Sequence, residues 1–193
     1  PDVTAAENFC TLVALAPSPV ARGVIWAGSD DGRIHVTRDG GATWVSVEGN
    51  LPGAAAGAWV PHIEASAFDA AEAFVVLDDH RRSSWTPHVY KTTDYGRSWT
   101  SLVTPALRGW ALVVEQDPVD RNLLFLGTEF GLYMSVDGGR EWLPWCHGVP
   151  TVSVMDLVIH PTEHDLVIGT HGRSALVIDD IRPLRELDAA TLV

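Results

Sequence analysis

Short apolar runs and short polar turns alternate along nearly the whole chain. One set of runs ends in a turn marked by Pro or Asp, at residues 12–17, 63–66, 112–118 and 154–161. A second set is stopped by Gly followed by Ser or Thr, at residues 25–29, 124–128 and 166–170. No window shows the sustained 3.6-residue apolar period that an amphipathic helix requires. The pattern therefore predicts an all-β protein of short strands with little helix.

One octapeptide occurs three times. It reads TRDGGATW at residues 37–44, TTDYGRSW at 92–99 and SVDGGREW at 135–142. The shared skeleton is Ser/Thr-x-Asp-x-Gly-x-x-Trp, and successive aspartates lie 55 and 43 residues apart. This spacing suits one four-stranded antiparallel sheet per repeat, as in the blades of a β-propeller.

The residue types of the octapeptide suit a tight hairpin turn. Gly supplies the positive φ that such a turn needs, and Asp accepts backbone N–H bonds beside it. Trp covers apolar surface between strands. We therefore interpret the shared positions as structural rather than catalytic: Asp39, Gly41, Trp44, Asp94, Gly96, Trp99, Asp137, Gly139 and Trp142.

The repeats predict a single partial β-propeller domain over residues 1–193, with about four blades. The blades are expected at about residues 10–50, 58–104, 108–147 and 151–187. The second blade contains an insertion, residues 78–87, between its second and third strands. The fourth keeps the strand pattern, but its octapeptide position is degenerate and reads Val177-Ile178-Asp179-Asp180.

Charge narrows the range of partners. The chain has 13 basic and 25 acidic residues, a net charge of -12. This field repels phosphate backbones and anionic lipid, so we expect no nucleic-acid partner. No stretch approaches the roughly 18 apolar residues of a spanning helix, so membrane insertion is not expected.

Two cysteines, Cys10 and Cys146, are too few for a disulfide framework. They would pair only if the chain ends approach each other. Two buried free thiols are the favoured interpretation, because free Cys is commonly buried. The cysteines leave the redox compartment open.

The octapeptide is similar to the Asp-box, or BNR repeat, of sialidases, sortilin-type receptors and two-propeller xyloglucanases. Further segments resemble, in order, the C-terminal propeller of large bacterial proteins termed sortilin-like or glycosyl-hydrolase-like. These segments are GSDDG (28–32), WV (59–60), DHR (79–81), YKTTDYG (90–96), GTEFGLY (127–133) and GTHGR (169–173). The resemblance covers about residues 12–187. It implies a longer, secreted or periplasmic parent protein whose remaining blades lie upstream.

The turns between second and third strands lie on the face opposite the octapeptides. We expect this face to hold ligand-binding residues: Trp59, His80, Arg81, Trp85, His171 and Arg173. The arginines offer a planar fork for a carboxylate or sulfate, and the tryptophans offer stacking surfaces for sugar rings. Two alternatives stay open, namely ion pairing of these basic residues with Asp30, Asp31 or Asp79, and core packing of the tryptophans.

The leading functional hypothesis is a ligand-binding, protein-binding or scaffold segment of a larger protein. The alternative is part of a secreted glycoside hydrolase, which needs two carboxylates about 5–10 Å apart. Asp30, Asp79 and Glu129 are weak candidates for such a pair.

The sequence predicts no cofactor. His160 and His164 are interpreted as part of a solvated loop, because two His without a third ligand are weak evidence for a metal site. Four blades are few for ring closure and would leave strand edges and apolar flanks exposed. We therefore expect a homo-oligomer, or the remaining blades of a parent chain, with a glycan or protein as a further partner.

Overall fold

The computed structural model describes residues 9–54 and 56–188, and within them the strands form four antiparallel sheets in chain order. The first sheet contains β1 (Leu12–Pro17), β2 (Ile25–Ser29), β3 (Ile34–Thr37) and β4 (Val45–Ser46). The second contains β5 (Trp59–Ala65), β6 (Ala73–Asp78), β7 (His88–Thr92) and β8 (Thr100–Ser101). The third contains β9 (Ala111–Gln116), β10 (Leu124–Thr128), β11 (Gly131–Ser135) and β12 (Leu143–Pro144). The fourth contains β13 (Val154–Ile159), β14 (Leu166–Thr170) and β15 (Ala175–Ile178).

Helix is limited to three short 3₁₀ segments in the described part of the chain, Glu48–Asn50, His80–Arg82 and Arg182–Glu186. None of these has the length or apolar character of a transmembrane helix. The predicted all-β architecture of about four propeller blades is confirmed. We call the four sheets blades 1 to 4.

The core consists of three apolar clusters, one between each pair of consecutive blades. Strands in the middle blades are covered on both faces, so β6, β10 and β11 are buried at every position. Strands at the two ends alternate instead, as β1 and β13 show, because successive side chains point to opposite faces and only one face is covered. The first strands β1, β5, β9 and β13 pack side by side along the inner edge of the blades.

Each octapeptide folds as a hydrogen-bonded turn between the third and fourth strands. In the first, the Thr37 hydroxyl donates to Asp39 at 2.8 Å, and the backbone N–H groups of Thr43 and Gly41 donate to Asp39 and Thr37 at 2.8 and 2.9 Å. The hydroxyl and backbone N–H of Thr43, with the hydroxyl of Thr37, lower the pKa of Asp39 to about 2. The turns of Asp94 and Asp137 repeat these bonds to within about 0.2 Å.

The octapeptides also join neighbouring blades. A Cβ on Gly96 would lie 2.8 Å from Val47 of blade 1, and a Cβ on Gly139 would lie 2.8 Å from Leu102 of blade 2. Trp142 donates its ring N–H to the carbonyl of Leu102 at 2.8 Å. The turns of blades 2 and 3 thus dock on the blade before them, a role that the local turn chemistry alone does not reveal.

Blade 4 lacks an outer strand within the described residues. After β15 the chain has no Gly-x-x-Trp sequence to close a hairpin, and it turns into the 3₁₀ segment Arg182–Glu186. There Arg185 pairs with the fully buried Asp117 of blade 3, with Nη2 and Oδ2 2.9 Å apart. The degenerate octapeptide therefore changes the path of the chain.

The favoured interpretation of the cysteines was wrong. Cys10 and Cys146 are both free, and both are exposed. Cys10 precedes β1 at the edge of blade 1, and Cys146 lies in the connector that leaves β12, so neither reaches an apolar interface between blades.

Candidate ligand-binding site

Turns between second and third strands lie at the end of the blades opposite the octapeptides, because neighbouring strands run antiparallel. In three blades this turn donates a backbone N–H to the residue just before its own first strand, Asp30 to Thr11, Glu129 to Trp110 and His171 to Ser153. In blade 2 the turn is replaced by the longer segment 79–87, which contains the 3₁₀ segment His80–Arg82. This face therefore has one irregular loop among regular turns.

The loop forms an aromatic cluster with its neighbours, which we define as His80, Trp85 and Trp110. The rings of His80 and Trp110 are stacked, with centroids 4.4 Å apart and planes 16° from parallel. Trp85 lies 5.5 Å from Trp110 and 6.5 Å from His80 between centroids. Such offset ring pairs contribute roughly 0.5–1.5 kcal/mol beyond their buried area. Trp110 belongs to the connector before blade 3, so the cluster spans two blades.

His80 is held in place by Asp78. The two carboxylate oxygens of Asp78 lie 2.6 and 2.8 Å from Nδ1 of His80, and the backbone N–H of His80 donates to the same carboxylate at 3.0 Å. Asp78 ends β6 and is almost fully buried. A buried carboxylate on rigid strand geometry therefore fixes the imidazole that stacks on Trp110.

Charged groups surround the cluster. The guanidinium carbon of Arg81 lies 4.6 Å from the ring centroid of Trp59, which begins β5. Burial raises the pKa of Glu129, and the nearby charge of His80 opposes that shift. Gly109 makes room for Glu129, since a Cβ on Gly109 would lie 2.8 Å from the Glu129 Cβ. The site thus combines stacked rings with the guanidinium of Arg81 and the carboxylate of Glu129.

The structure does not bring all the predicted ligand-binding residues together. His171 and Arg173 are exposed on the turn of blade 4, separated from the loop of blade 2 by the whole of blade 3. No ring contact, ion pair or hydrogen bond among the described contacts joins them to His80 or Trp85.

The candidate carboxylates differ in their surroundings. Asp30 accepts the backbone N–H of Thr11 at 2.8 Å, and Asp79 is buried and accepts a bond from Nε of Arg82. Arg82 in turn donates to the carbonyl of Ala56 at 2.8 Å, which ties the loop to the connector between blades 1 and 2. Both aspartates thus have local structural partners, whereas Glu129 faces the aromatic cluster.

Trp110 belongs to the cluster but was not among the predicted ligand-binding residues. In the sequence it is a tryptophan directly before the first strand of a blade, a position that equally suits core packing. Trp59, at the start of its strand, has a buried ring N–H without a hydrogen-bond partner among the described residues. The packing of blade 2 on blade 3 brings Trp85 and Trp110 into contact.

The loop of His160 and His164 serves local structure. Nδ1 of His160 accepts the backbone N–H of Glu163 at 3.1 Å, and Nδ1 of His164 lies 3.3 Å from Arg185. A different group of possible metal ligands, His62, Glu64 and Glu115, lies on the first strands of blades 2 and 3. His62 lies inside β5.

Comparison with solved structures shows which proteins share this fold. No protein-family model matches the chain, and no curated protein matches it. The structure of YCF48 bound to a D1 peptide is 19% identical with a TM-score of 0.64, and the match covers 90% of this chain and 53% of that one. A GH74 enzyme of Niastella koreensis is 17% identical with a TM-score of 0.65, over 90% of this chain and 24% of that one.

A chain of a nidogen/laminin complex is 14% identical with a TM-score of 0.65, over 88% of this chain and 61% of that one. The chain thus spans between about a quarter and three fifths of the length of these three structures. At such identities the likeness concerns the fold. The chain consists of β-propeller blades, and its neighbours include binding proteins as well as enzymes.

Proposed function

We propose that the chain is the ligand-binding segment of a larger Asp-box propeller protein, and that the aromatic cluster holds the ligand. The observation that carries this proposal is Trp85, whose side chain is 60% exposed although its ring lies against Trp110. Tryptophan is enriched at binding interfaces, because its ring offers a large apolar stacking surface together with a polar N–H. The ring of Trp85 is already packed against Trp110 before a ligand binds, which reduces the conformational entropy lost on binding.

The polar groups around the cluster suggest the kind of ligand. Arg81 can donate several hydrogen bonds from one plane, and Glu129 can accept them. A ligand with one flat apolar face and a polar edge fits this combination, as a sugar ring or a peptide with an aromatic side chain does. The peptide-bound YCF48 structure and the GH74 enzyme, which share the fold, are consistent with either ligand. From the resemblance to sortilin-like bacterial proteins, we also propose a bacterial source and a secreted or periplasmic location.

A glycan array and a peptide library, probed with the full chain, test the proposal. Trp85→Ala should weaken any binding found by at least about tenfold, since hot-spot tryptophans contribute about 2 kcal/mol or more. Trp44→Ala is the matched control, because Trp44 is also exposed but lies at the octapeptide end of blade 1. Binding that is unchanged in Trp85→Ala, or lost equally in both variants, would contradict a site at the cluster.

Glycoside hydrolysis by the complete parent protein is the second candidate. The observation that favours it is Glu129, a carboxylate near His80 whose pKa is raised by partial burial although the charge of His80 opposes that shift. Turnover of a glycan by the parent protein should fall by orders of magnitude in Glu129→Gln, and Asp30→Asn and Asp79→Asn test the other two carboxylates. Unchanged turnover in all three variants would exclude them as catalytic residues.

We also propose that further blades cover the two ends of the blade row. On blade 1, Leu15 is 66% exposed and Trp44 is 42% exposed, and on blade 4, Val158 and Val177 are 52% and 53% exposed. In the middle blades the positions equivalent to Trp44 are buried against the preceding blade. The covering blades come from the rest of a longer chain or from a second copy.

Light scattering during size-exclusion chromatography of the chain tests this covering. We expect a dimer or larger species, which Val158→Glu should dissociate, because a charge on the open face of blade 4 opposes apolar contact. A soluble monomer at all concentrations would exclude covering by a second copy.

A further inference from the structure

The first strands of blades 2, 3 and 4 bring together charged side chains that the aromatic cluster does not use. His62 and Glu64 lie two residues apart on β5 and therefore on the same side of that strand. Glu115 lies on β9, and Asp156 lies on β13 close enough to influence both His62 and Glu115 electrostatically. The possible ligand atoms of His62, Glu64 and Glu115 all lie within 4.8 Å of one another.

One ring nitrogen of the imidazole in this group is unsatisfied. Nε2 of His62 is buried and has no hydrogen-bond partner among the described residues. Its nearest carboxylate oxygen, on Glu64, is 3.9 Å away, too far for a hydrogen bond. Leaving a buried polar atom unpaired costs about 1–3 kcal/mol. A buried, unpaired nitrogen within 4.8 Å of two carboxylates is suited to bind a cation together with them.

Within residues 9–54 and 56–188, neither Glu64 nor Glu115 forms an ion pair with a Lys or Arg side chain. Burial raises the pKa of Glu64 well above its usual value, and the charge of Glu115 adds to the shift. Burial also raises the pKa of Glu115 to about 7, with Asp156 and Asp117 adding to it, while the N–H of Ile159 opposes it. Burial lowers the pKa of His62, while Asp156 and the backbone of Val114 oppose that shift.

We propose that His62, Glu64 and Glu115 bind one divalent first-row transition-metal ion, with Zn²⁺ as the best fit. Zn²⁺ accepts one imidazole nitrogen and two carboxylate oxygens at about 2.0–2.2 Å, with water in the fourth position. Ligand atoms of a tetrahedral Zn²⁺ site lie roughly 3.4 Å apart. Nε2 of His62 and Oε2 of Glu64, now 3.9 Å apart, need to approach by about 0.5 Å, and no pair in the group by more than about 1.4 Å. The imidazole disfavours Ca²⁺ and Mg²⁺, which prefer oxygen ligands.

The surroundings hold the ligands in place. The backbone N–H of Ile159 donates to Oε1 of Glu115 at 3.2 Å, which leaves Oε2 for the ion. The backbone of Val114 forms a hydrogen bond with the imidazole of His62. Nε2 of that ring has no hydrogen-bond partner among the described residues. Such outer contacts orient ligands and commonly change metal affinity by about 10–100-fold. An ion here would cross-link the first strands of blades 2 and 3, and through Ile159 it would also engage blade 4.

Titration of the EDTA-treated full chain with ZnCl₂, followed by calorimetry and by metal analysis after dialysis, tests the site. The wild type should retain one equivalent of Zn²⁺. Glu115→Gln and His62→Gln should each weaken binding by about 100-fold or more, since loss of a ligand should exceed loss of an outer contact. The control is the double variant His160→Ala/His164→Ala. It removes two histidines of the loop that follows β13 and should bind Zn²⁺ as the wild type does.

A second measurement on the wild type keeps the test independent of variant folding. Zn²⁺ should shift the ring ¹⁵N resonances of His62 in long-range ¹H–¹⁵N spectra. Retention of no Zn²⁺ by the wild type, equal binding by Glu115→Gln, or shifts confined to His160 and His164 would each overturn the proposal. The binding function of the aromatic cluster is tested separately, because Trp85→Ala leaves all three proposed ligands intact.

Discussion

Trp26 and Trp99 meet edge to face across the boundary of blades 1 and 2, with ring centroids 6.0 Å apart and planes at 68°. Trp26 is fully buried in β2, and Trp99 is the last residue of the second octapeptide. The pair shows how a residue that closes a turn in one blade completes the core of the blade before it. Trp44 occupies the same octapeptide position in blade 1, where it is exposed.

The first prediction follows from this difference. Trp99→Ala should lower the free energy of unfolding by about 3–5 kcal/mol, because it empties a large space in a packed core. Trp44→Ala, the control, should cost less than about 1 kcal/mol in the monomeric chain. Urea unfolding of both variants at low protein concentration measures the two effects. Equal midpoints for wild type and Trp99→Ala would contradict the inter-blade role of Trp99.

A second prediction concerns the glycines inside the second strands. A Cβ on Gly127 would lie 2.6 Å from Val113 and 2.7 Å from Val154 of the next blade. Gly127→Ala should therefore destabilise the chain by about 1–3 kcal/mol through overpacking. Gly49→Ala should be close to neutral, since a Cβ there meets nothing within 4 Å. Thermal unfolding of the two variants measures the difference in stability. A Gly127→Ala variant as stable as the wild type would show that blades 3 and 4 are packed less closely than these distances indicate.

The third prediction concerns the turn aspartates. Asp94 accepts bonds from the hydroxyl of Thr92 and from the backbone and hydroxyl of Ser98, at 2.6–2.9 Å. Asp94→Ala should cost about 1–2 kcal/mol, as loss of a similar capping residue does. Asp179→Ala, at the degenerate position, should change stability by less than about 0.5 kcal/mol. If the two variants unfold at the same urea concentration, the octapeptide bonds do not stabilise the fold.

A fourth prediction concerns pH. Burial alone would raise the pKa of Glu48, but bonds from Ser46, Arg33 and the backbone of Ile34 lower it to about 2, from 4.5. The lowered pKa means that Glu48 stabilises the fold above about pH 4.5, and that this stabilisation is lost as the pH falls toward 2.

Glu48→Gln should therefore lower stability by about 1 kcal/mol at pH 7, and by progressively less below pH 4.5. Unfolding midpoints measured from pH 7 to pH 3 check the slope. Glu141→Gln is the control, because the Glu141 carboxylate has no hydrogen bond within the described residues. A Glu48→Gln deficit that stays constant with pH would exclude the ionised carboxylate as its cause.

The architecture was predictable because its signals are local. Strand patterning and turn chemistry depend on residues close together in the chain, and three copies of one octapeptide gave the period of the blades. The same local logic anticipated the missing octapeptide of blade 4. It did not anticipate the exposure of Cys10 and Cys146, because burial depends on which blade faces are covered.

The glycines in the second strands of blades 1 and 3 show where local reasoning ended. In the sequence, Gly28 and Gly127 suggested that a strand stops before a turn, but in the structure both lie inside strands. A Cβ on Gly28 would lie 2.6 Å from Val60 of blade 2. Only the approach of a neighbouring blade, distant in sequence, makes a side chain impossible there.

The sequence by itself determined the class of fold, the number of blades and the turns that close them, because hairpins are specified by neighbouring residues. The tertiary structure alone decided that His80, Trp85 and Trp110 form one cluster, that His171 stands apart, and that His62 meets Glu115. These contacts join residues from different blades. Their geometry is set by inter-blade packing, which the local pattern of apolar and polar residues does not encode.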